Sequence, residues 1–205
     1  GSVRTMGPPV GLPRCPGGPS RPAPLLDEHR VEVLREASDS GKRRAMPAVA
    51  SRSLPLAGIR VANFGWGWLG PVTGQTLAWL GAEVYKIESR ARIDLNRTLP
   101  PFGGGVRDPD RSLQNHAGWA GNGSVAIDLK KPEGQALARR LVGCCDVAIE
   151  NFGPGVMERL GLGYEKLRAV RPDVILASMP AAGLTGSMKG IRTYGMSLSS
   201  ITGLD

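Results

Sequence analysis

The sequence has no long run of apolar residues, few aromatic residues and only three cysteines. A helix that crosses a membrane needs about 20 consecutive apolar residues, and the N-terminus has no basic region followed by an apolar core of signal-peptide type. We therefore expect a soluble, cytoplasmic protein. Cys15 stands alone, and the neighbours Cys144 and Cys145 cannot both face one ion, so we expect reduced cysteines and no disulfide framework or metal site.

Histidine is also scarce. The two histidines, His29 and His116, have no carboxylate or cysteine partner at a useful spacing. The sequence pattern therefore gives no indication of a metal site or catalytic cluster built on histidine. We interpret both residues as solvated or structural.

Positive charge and proline are abundant by comparison. The formal net charge is +8, and much of the excess lies in the first 52 residues; nine of the 17 prolines fall in the first 55. No aromatic residues alternate with these basic residues, and no nucleic-acid module is recognisable. We therefore predict a solvated basic arm, with neither nucleic acid nor membrane as a partner.

From Leu56 onward, short β-rich runs alternate with helical segments, and glycine or proline marks each boundary. This pattern predicts an α/β fold with a Rossmann-like, doubly wound and mainly parallel sheet, whose ligands bind beyond the carboxyl ends of the strands. A polar loop at 89–123 is expected, because of its length, either to be functional or to cover another part of the protein. The predicted strands are 59–64, 82–88, 124–129, 146–150 and 174–179, and the predicted helices are 71–80, 132–142, 154–160 and 164–170.

One motif suggests a dinucleotide site. Gly65, Gly67 and Gly70 form G-x-G-x-x-G between the first strand and helix, and Glu88 ends the next strand, where an acid would bind ribose. Pro71, however, suggests a helix that starts after the third glycine, too late to meet a pyrophosphate. Two tryptophans within the motif are also bulky for such a loop. An NAD-binding oxidoreductase domain is therefore the weaker alternative.

Several segments together carry a more specific pattern. They read L-x-G-I-R-V at 56–61, G-P at 70–71, L-G-A-E-V-Y-K-I-E at 80–88, S-V-A-I-D-L-K-K-P-E-G at 124–134, E-N-F-G-P-G-V-M-E-R-L-G-L at 150–162 and R-P-D-V-I-L-A-S at 171–178. Their order and spacing resemble the family III coenzyme A transferases, which include formyl-CoA and carnitine CoA transferases. The related α-methylacyl-CoA racemases share these segments.

The resemblance implies a Rossmann-like large domain that binds CoA along the rim of its sheet. CoA would be a substrate, with no separate cofactor, and its partner would be a carboxylic acid. Ser89 stands where relatives often have an arginine for a CoA phosphate, so Arg90 is expected to serve instead. The positions implied to bind CoA are Gly67, Trp68, Leu69, Ser89, Arg90, Ile127, Leu129, Lys130, Asn151, Phe152 and Arg159.

The same resemblance places the catalytic aspartate, which forms a covalent aspartyl-CoA intermediate, beyond Asp205. We therefore assign no catalytic residue, and we expect the small domain to be absent and this chain alone to be inactive. Racemases have a His-Asp pair where this chain has Tyr194 and Gly195, and a tyrosine is a poor base at neutral pH. This favours a transferase parent, with a racemase relative or a non-catalytic CoA-binding or assembly repeat as alternatives.

The N-terminal arm resembles the C-terminal end of the same family. We predict a linker or disordered stretch at 1–19, a helix at 20–41 that packs on the core, a linker at 42–54 and the truncated CoA-binding core at 55–205. The simplest explanation is a tandem protein with two family repeats; an unrelated proline-rich extension is the alternative. The resemblance also implies an interlocked homodimer or pairing with another family repeat.

Overall fold

A computed structural model describes residues 17–38 and 54–203. Its centre is a five-stranded parallel sheet with the strand order β3-β2-β1-β4-β5. The strands are β1 (Arg60–Asn63), β2 (Glu83–Glu88), β3 (Gly123–Ala126), β4 (Val147–Glu150) and β5 (Ile175–Ser178). The order reverses between β1 and β4, so the loops that follow these two strands diverge and leave a crevice at the carboxyl edge of the sheet.

Helices cover both faces of this sheet. Helices α1 (Arg30–Ser38), α4 (Pro132–Gly143), α5 (Val156–Arg159) and α6 (Tyr164–Val170) lie on the face that carries the larger apolar cluster. Helix α2 (Leu69–Trp79) packs on the other face, next to the short α3 (Leu113–Gly118). A last helix, α7, spans Gly195–Thr202. The predicted α/β class and doubly wound parallel sheet are confirmed.

The strand predictions are correct to within three residues at each end, because buried strands are short apolar runs between turn residues. Three details were wrong. Helix α2 begins at Leu69, so Pro71 lies inside its first turn and the third glycine is helical. The loop at 89–123 contains α3 and three 3₁₀ turns, and α7 was not predicted.

The arm packs on the core, as predicted, but its helix starts at Arg30 and not at residue 20. Before the helix, Asp27 adopts a positive φ of 66°, an uncommon conformation for a residue with a side chain. The helix buries Val33 and Ala37, whereas Val31 is 83% exposed. An origin in a preceding repeat stays a prediction. Residues 1–16 of the predicted N-terminal stretch, 39–41 of the predicted helix and 42–53 of the predicted linker lie outside the described residues.

Residues 21–30 of the arm cover the free edge of β3. His29 donates its backbone N–H to the carbonyl of Ser124, and its Nδ1 accepts from the Ser124 N–H. Asp27 Oδ1 accepts from the N–H of Ala126, and Arg30 donates to the Ala126 carbonyl. All four backbone groups that these two β3 residues present to the outside are therefore bonded, which removes an exposed edge.

Among residues 17–38 and 54–203, no helix is both long and apolar enough to cross a membrane.

Candidate functional site

A cavity of about 210 Å³ lies at the carboxyl ends of β1, β2 and β3. Its walls come from the ends of these strands and from the segment that includes α5. Arg92 and Lys130 line the cavity and are also exposed, so they stand at its opening. Most of the remaining wall is apolar and continues the larger core cluster, through Phe64, Ile87, Ile127, Leu129, Phe152 and Leu160.

Asn151 holds the first loop against the end of β4. Its Oδ1 accepts from the N–H of Trp66 at 2.8 Å, and its Nδ2 donates to the Trp66 carbonyl at 2.8 Å. Both polar atoms of the amide are engaged, so Asn151 orients Trp66 across the crevice between β1 and β4. The resemblance had implied instead that Asn151 contacts CoA.

The glycine motif has a structural explanation within the chain. A Cβ on Gly65 would lie 2.6 Å from the Cα of Gly70, and a Cβ on Gly70 would lie 2.4 Å from the carbonyl carbon of Gly65. The loop can therefore fold back on itself only if both residues are glycine. Gly67 has a positive φ of 74°. None of these requirements involves a bound pyrophosphate.

Trp66 and Arg92 form one wall of the cavity together. The Cζ of Arg92 lies 5.0 Å from the centroid of the Trp66 ring, within the range of a cation–π interaction. The indole N–H of Trp66 is buried and has no acceptor among the described residues. A ligand in this cavity would thus meet the Arg92 cation beside the Trp66 ring.

Glu88 also reaches the cavity, but its carboxylate is bound within the protein. Arg97, which is fully buried, donates three hydrogen bonds to it at 2.7 to 3.1 Å. Ser124 donates a further one, and Lys86 Nζ lies 3.4 Å away. Burial alone would raise the pKa of Glu88, but Lys86, Arg97 and Ser124 outweigh it and hold the pKa below its usual value.

The positive partners of Glu88 belong to a buried polar cluster behind the cavity. Lys86 accompanies Asp94 and Asn115 and lies 4.4 Å from the centroid of the Trp119 ring. Burial lowers the pKa of Lys86 to about 8. Burial likewise raises the pKa of Asp94 although Lys86 opposes the change, so the cluster holds its charges at a cost in desolvation.

The structure brings together only part of the predicted site. Of the predicted residues, Ser89 after β2, three residues after β3 and Phe152 after β4 line the cavity, whereas those of the first loop do not. Trp68 is 65% exposed and Arg159 is exposed without lining the cavity. The lining includes Ser89, Ile127, Leu129, Lys130 and Phe152, and leaves out Gly67, Trp68, Leu69, Arg90, Asn151 and Arg159.

Sequence reasoning missed Arg92 and the position of Trp66. Arg90, the residue expected to bind a phosphate, pairs with Asp27 of the arm and does not line the cavity. Arg92 does line it. The sequence alone does not distinguish the two arginines, because the choice depends on the tight turn after β2, across which Ser89 and Arg92 pair.

The described residues contain no group of three or more histidine, cysteine, aspartate or glutamate side chains that could hold a metal ion. Cys144 and Cys145 are free thiols, and burial raises the pKa of both.

Comparison with known proteins identifies the family to which this chain belongs. The model of CoA-transferase family III matches residues 56–205. The chain belongs to this family. The match begins after the arm, so residues 17–38 lie outside it.

The relatives agree with this assignment. Succinate--glutarate CoA-transferase of Agrobacterium fabrum is 38% identical over 77% of this chain and 40% of its own length. Succinyl-CoA--D-citramalate CoA-transferase of Chloroflexus aurantiacus is 39% identical over 69% of this chain and 34% of its own length. A formyl-CoA:oxalate CoA-transferase of Bradyrhizobium is 36% identical over 68% of this chain and 32% of its own length.

Solved structures show the same fold. A CAIB/BAIF family protein from Brucella suis superposes with a TM-score of 0.67 and 36% identity, over 74% of this chain and 40% of that one. Rv3272 from Mycobacterium tuberculosis gives a TM-score of 0.66 and 32% identity, over 74% and 41%. The chain thus spans at most about 40% of the length of these relatives.

Proposed function

We propose that this chain supplies the CoA-binding core of a family III CoA transferase whose parent moves CoA between an acyl-CoA and a free carboxylic acid. The observation that carries the proposal is a cavity at the carboxyl ends of β1, β2 and β3 with Arg92 and Lys130 at its opening, in a chain of this family. Cations at an opening over an apolar floor suit a ligand that joins an apolar group to phosphates.

The size of the cavity fits one end of CoA. Pockets that enclose a whole drug-sized ligand measure roughly 300 to 1,000 Å³, whereas this one measures about 210 Å³. We therefore assign to it the base or the neighbouring phosphates, with the pantetheine arm running along the sheet edge. Lys130 and Arg92 would contact phosphate oxygens, and Phe152 would offer an apolar face to the base.

The alternative of NAD is weakened by Glu88. In a dinucleotide site, an acid at the end of the second strand must accept hydrogen bonds from ribose hydroxyls. Here both carboxylate oxygens of Glu88 already accept from Arg97, and the residue is buried. Freeing Glu88 for a ribose would leave the fully buried Arg97 with an unpaired charge, which is strongly unfavourable.

For the parent enzyme we propose covalent catalysis by an aspartate beyond this chain. Its carboxylate attacks the acyl-CoA carbonyl, expels the CoA thiolate and forms a mixed anhydride. The thiolate then attacks the aspartyl carbonyl, which releases the first acid and leaves an aspartyl-CoA thioester. The acceptor carboxylate repeats these steps in reverse, so that CoA leaves on the acceptor and the aspartate is regenerated.

Calorimetric titration of the chain with CoA and with NAD tests the ligand assignment. We expect CoA to bind and the variant Lys130→Gln to bind it at least about tenfold more weakly, because a charge-assisted hydrogen bond contributes about 1.5 to 3 kcal/mol. Lys131→Gln is the matched control, since Lys131 is exposed and does not line the cavity. Binding of NAD without binding of CoA would overturn the assignment.

A second measurement tests whether the catalytic aspartate lies outside this chain. Since the chain spans at most about 40% of its relatives, we expect thioester exchange between an acyl-CoA and a carboxylate to stay at background with this polypeptide alone. Turnover well above a no-protein control would contradict an aspartate outside the chain.

A further inference from the structure

Two arginines follow β2, and they lie on opposite sides of the turn that they share. Arg92 lines the cavity. Arg90 does not, and its Nη2 lies 3.2 Å from Oδ2 of Asp27 in the arm. The turn itself is closed by the Arg92 N–H, which donates to the Ser89 carbonyl at 3.1 Å, and by the Ala91 N–H, which donates to Ser89 Oγ. The arm therefore contacts this turn through Arg90, while Arg92 of the same turn forms part of the cavity wall.

A second connection runs through Arg97. Its Nη2 donates to the carbonyl of Pro24 in the arm at 3.2 Å, and the same guanidinium holds Glu88. Arg97 Nη1 also donates to Asp110 Oδ1, which accepts in addition from the N–H of Leu26. Glu88 lines the cavity, so one buried side chain separates the arm from that wall.

A third connection runs along β3. Asp27 Oδ1 accepts from the Ala126 N–H at 2.6 Å, and its own N–H donates to Ser124 Oγ. The residues that follow β3 directly are Ile127 to Lys130, which line the cavity. The arm thus contacts the backs of two walls, the turn after β2 and the strand that leads into the Lys130 loop.

We propose that residues 17–38 are a positioning element of the ligand site, although they lie outside the part of the chain that the family model matches. Asp27 holds the turn at 89–92 through Arg90 so that Arg92 faces the phosphate-bearing ligand. Binding of the ligand and docking of the arm then favour each other, because coupling between two sites is reciprocal. The identity of the ligand rests on the proposed function, whereas the coupling rests on the contacts alone.

The variant Asp27→Asn tests the role of the ion pair. Asparagine has the same shape, tolerates the positive φ of this position and keeps Oδ1 as the acceptor for the Ala126 N–H. The substitution removes the negative charge and replaces the Oδ2 acceptor, which lies near both Arg90 and Arg30. We expect the affinity for CoA, measured by calorimetry, to fall about two- to fivefold, which is the range of effect that one partly exposed ion pair produces. Glu32→Gln, an exposed acid on α1, is the matched control and should leave the affinity unchanged.

The sign of the effect separates positioning from direct contact. If Arg90 positions the turn, Arg90→Gln should weaken CoA binding as much as Asp27→Asn does, and the double variant should be no weaker than either single variant. If Arg90 instead contacts the ligand itself, Asp27→Asn would release it and strengthen binding. A stronger affinity in Asp27→Asn would overturn the proposal.

Hydrogen exchange tests the coupling with and without ligand. Without ligand, the amides of Ala91 and Arg92 should exchange faster in Asp27→Asn than in the wild type, and equal rates would overturn the proposal. With CoA, the amide of Val33, which donates to the His29 carbonyl, should exchange more slowly in the wild type. Faster exchange of the turn in Asp27→Asn, together with no CoA binding by the wild type, would reject the proposed ligand and retain the arm as a positioning element.

Discussion

The two edges of the sheet differ in whether other residues cover them. At the β3 edge, the arm bonds every outward backbone group of Ser124 and Ala126, and α1 buries Val33 against the core. At the β5 edge, Ile175 is 62% exposed, and β5 pairs with β4 alone among the described residues. One edge is thus covered by residues outside the family match, while the other presents apolar surface.

This difference coincides with the position of the site. The Glu88–Arg97 pair and the Lys86 cluster lie in the half of the sheet that contains β2 and β3, and most of the residues that line the cavity come from the ends of these two strands. An exposed strand edge is prone to pair with other chains, so a site built on β3 benefits from a covered edge. We therefore expect substitutions on the β3 side to be costly and those on the β5 side to be tolerated.

The largest effect is expected for Arg97→Met. The substitution leaves Glu88 buried without its main cationic partner and removes the hydrogen bond to the arm. Breaking a buried ion pair from one side costs about 3 to 5 kcal/mol, and urea unfolding should report a loss of that size. Arg107→Met, at an exposed arginine of the same loop, should stay within about 0.5 kcal/mol. Similar losses for both variants would mean that the buried Arg97 contributes no more to stability than an exposed arginine does.

A smaller loss is expected for Val33→Ala in the arm. Val33 is fully buried, so removing two methyl groups should lower the free energy of unfolding by about 2 kcal/mol. Val31→Ala lies on the same helix at a position 83% exposed and should be nearly neutral. If urea unfolding gives the same small change for both, the arm does not pack on β3 in solution.

The next effect is a pH dependence caused by Lys86. Its pKa is lowered to about 8 from an ordinary 10.5, so between these values the unfolded chain binds the proton that the folded chain has lost. Lys86 therefore makes stability rise with pH, by up to about 1.4 kcal/mol per pH unit. Burial raises the pKa of Cys145 and Tyr85, which act in the opposite direction over part of this range.

The quantity to measure is accordingly the difference in unfolding free energy between the wild type and Lys86→Met, at several pH values within this window. The difference should move in favour of the wild type as the pH rises. Lys131→Met, at an exposed lysine, should show a constant difference. A constant difference for Lys86→Met as well would mean that Lys86 titrates normally.

The smallest effect is expected at the β5 edge. Ile175→Thr keeps a β-branched residue in the strand and changes a mostly exposed position, so the free energy of unfolding should change by no more than about 0.5 kcal/mol. A loss well above 1 kcal/mol in urea unfolding would show that this edge is covered in solution, and the contrast between the two edges would no longer hold.

Features set by residues close together in the sequence were predictable, whereas features set by contacts between distant residues were not. The five strands were predicted closely because each is a short apolar run between turn residues. The segments that resemble the family then indicated which residues at the rim of the sheet would bind CoA. Ser89, Lys130 and Phe152 were correctly expected at one rim, since strand ends fix their neighbourhood. The start of α1 was misjudged because Asp27 turns the chain at a positive φ to meet β3.

The sequence by itself determined the fold class, the family and the carboxyl edge of the sheet as the place of the site. Those depend on periodic patterns and motif order, which are local along the chain. Only the tertiary structure decided that Arg92 rather than Arg90 lines the cavity, that Glu88 is held by Arg97, and that the amide of Asn151 is engaged by Trp66. Each of these choices is made by a partner distant in sequence or by the geometry of a tight turn, because a charged or amide side chain binds whichever complementary group the fold brings near.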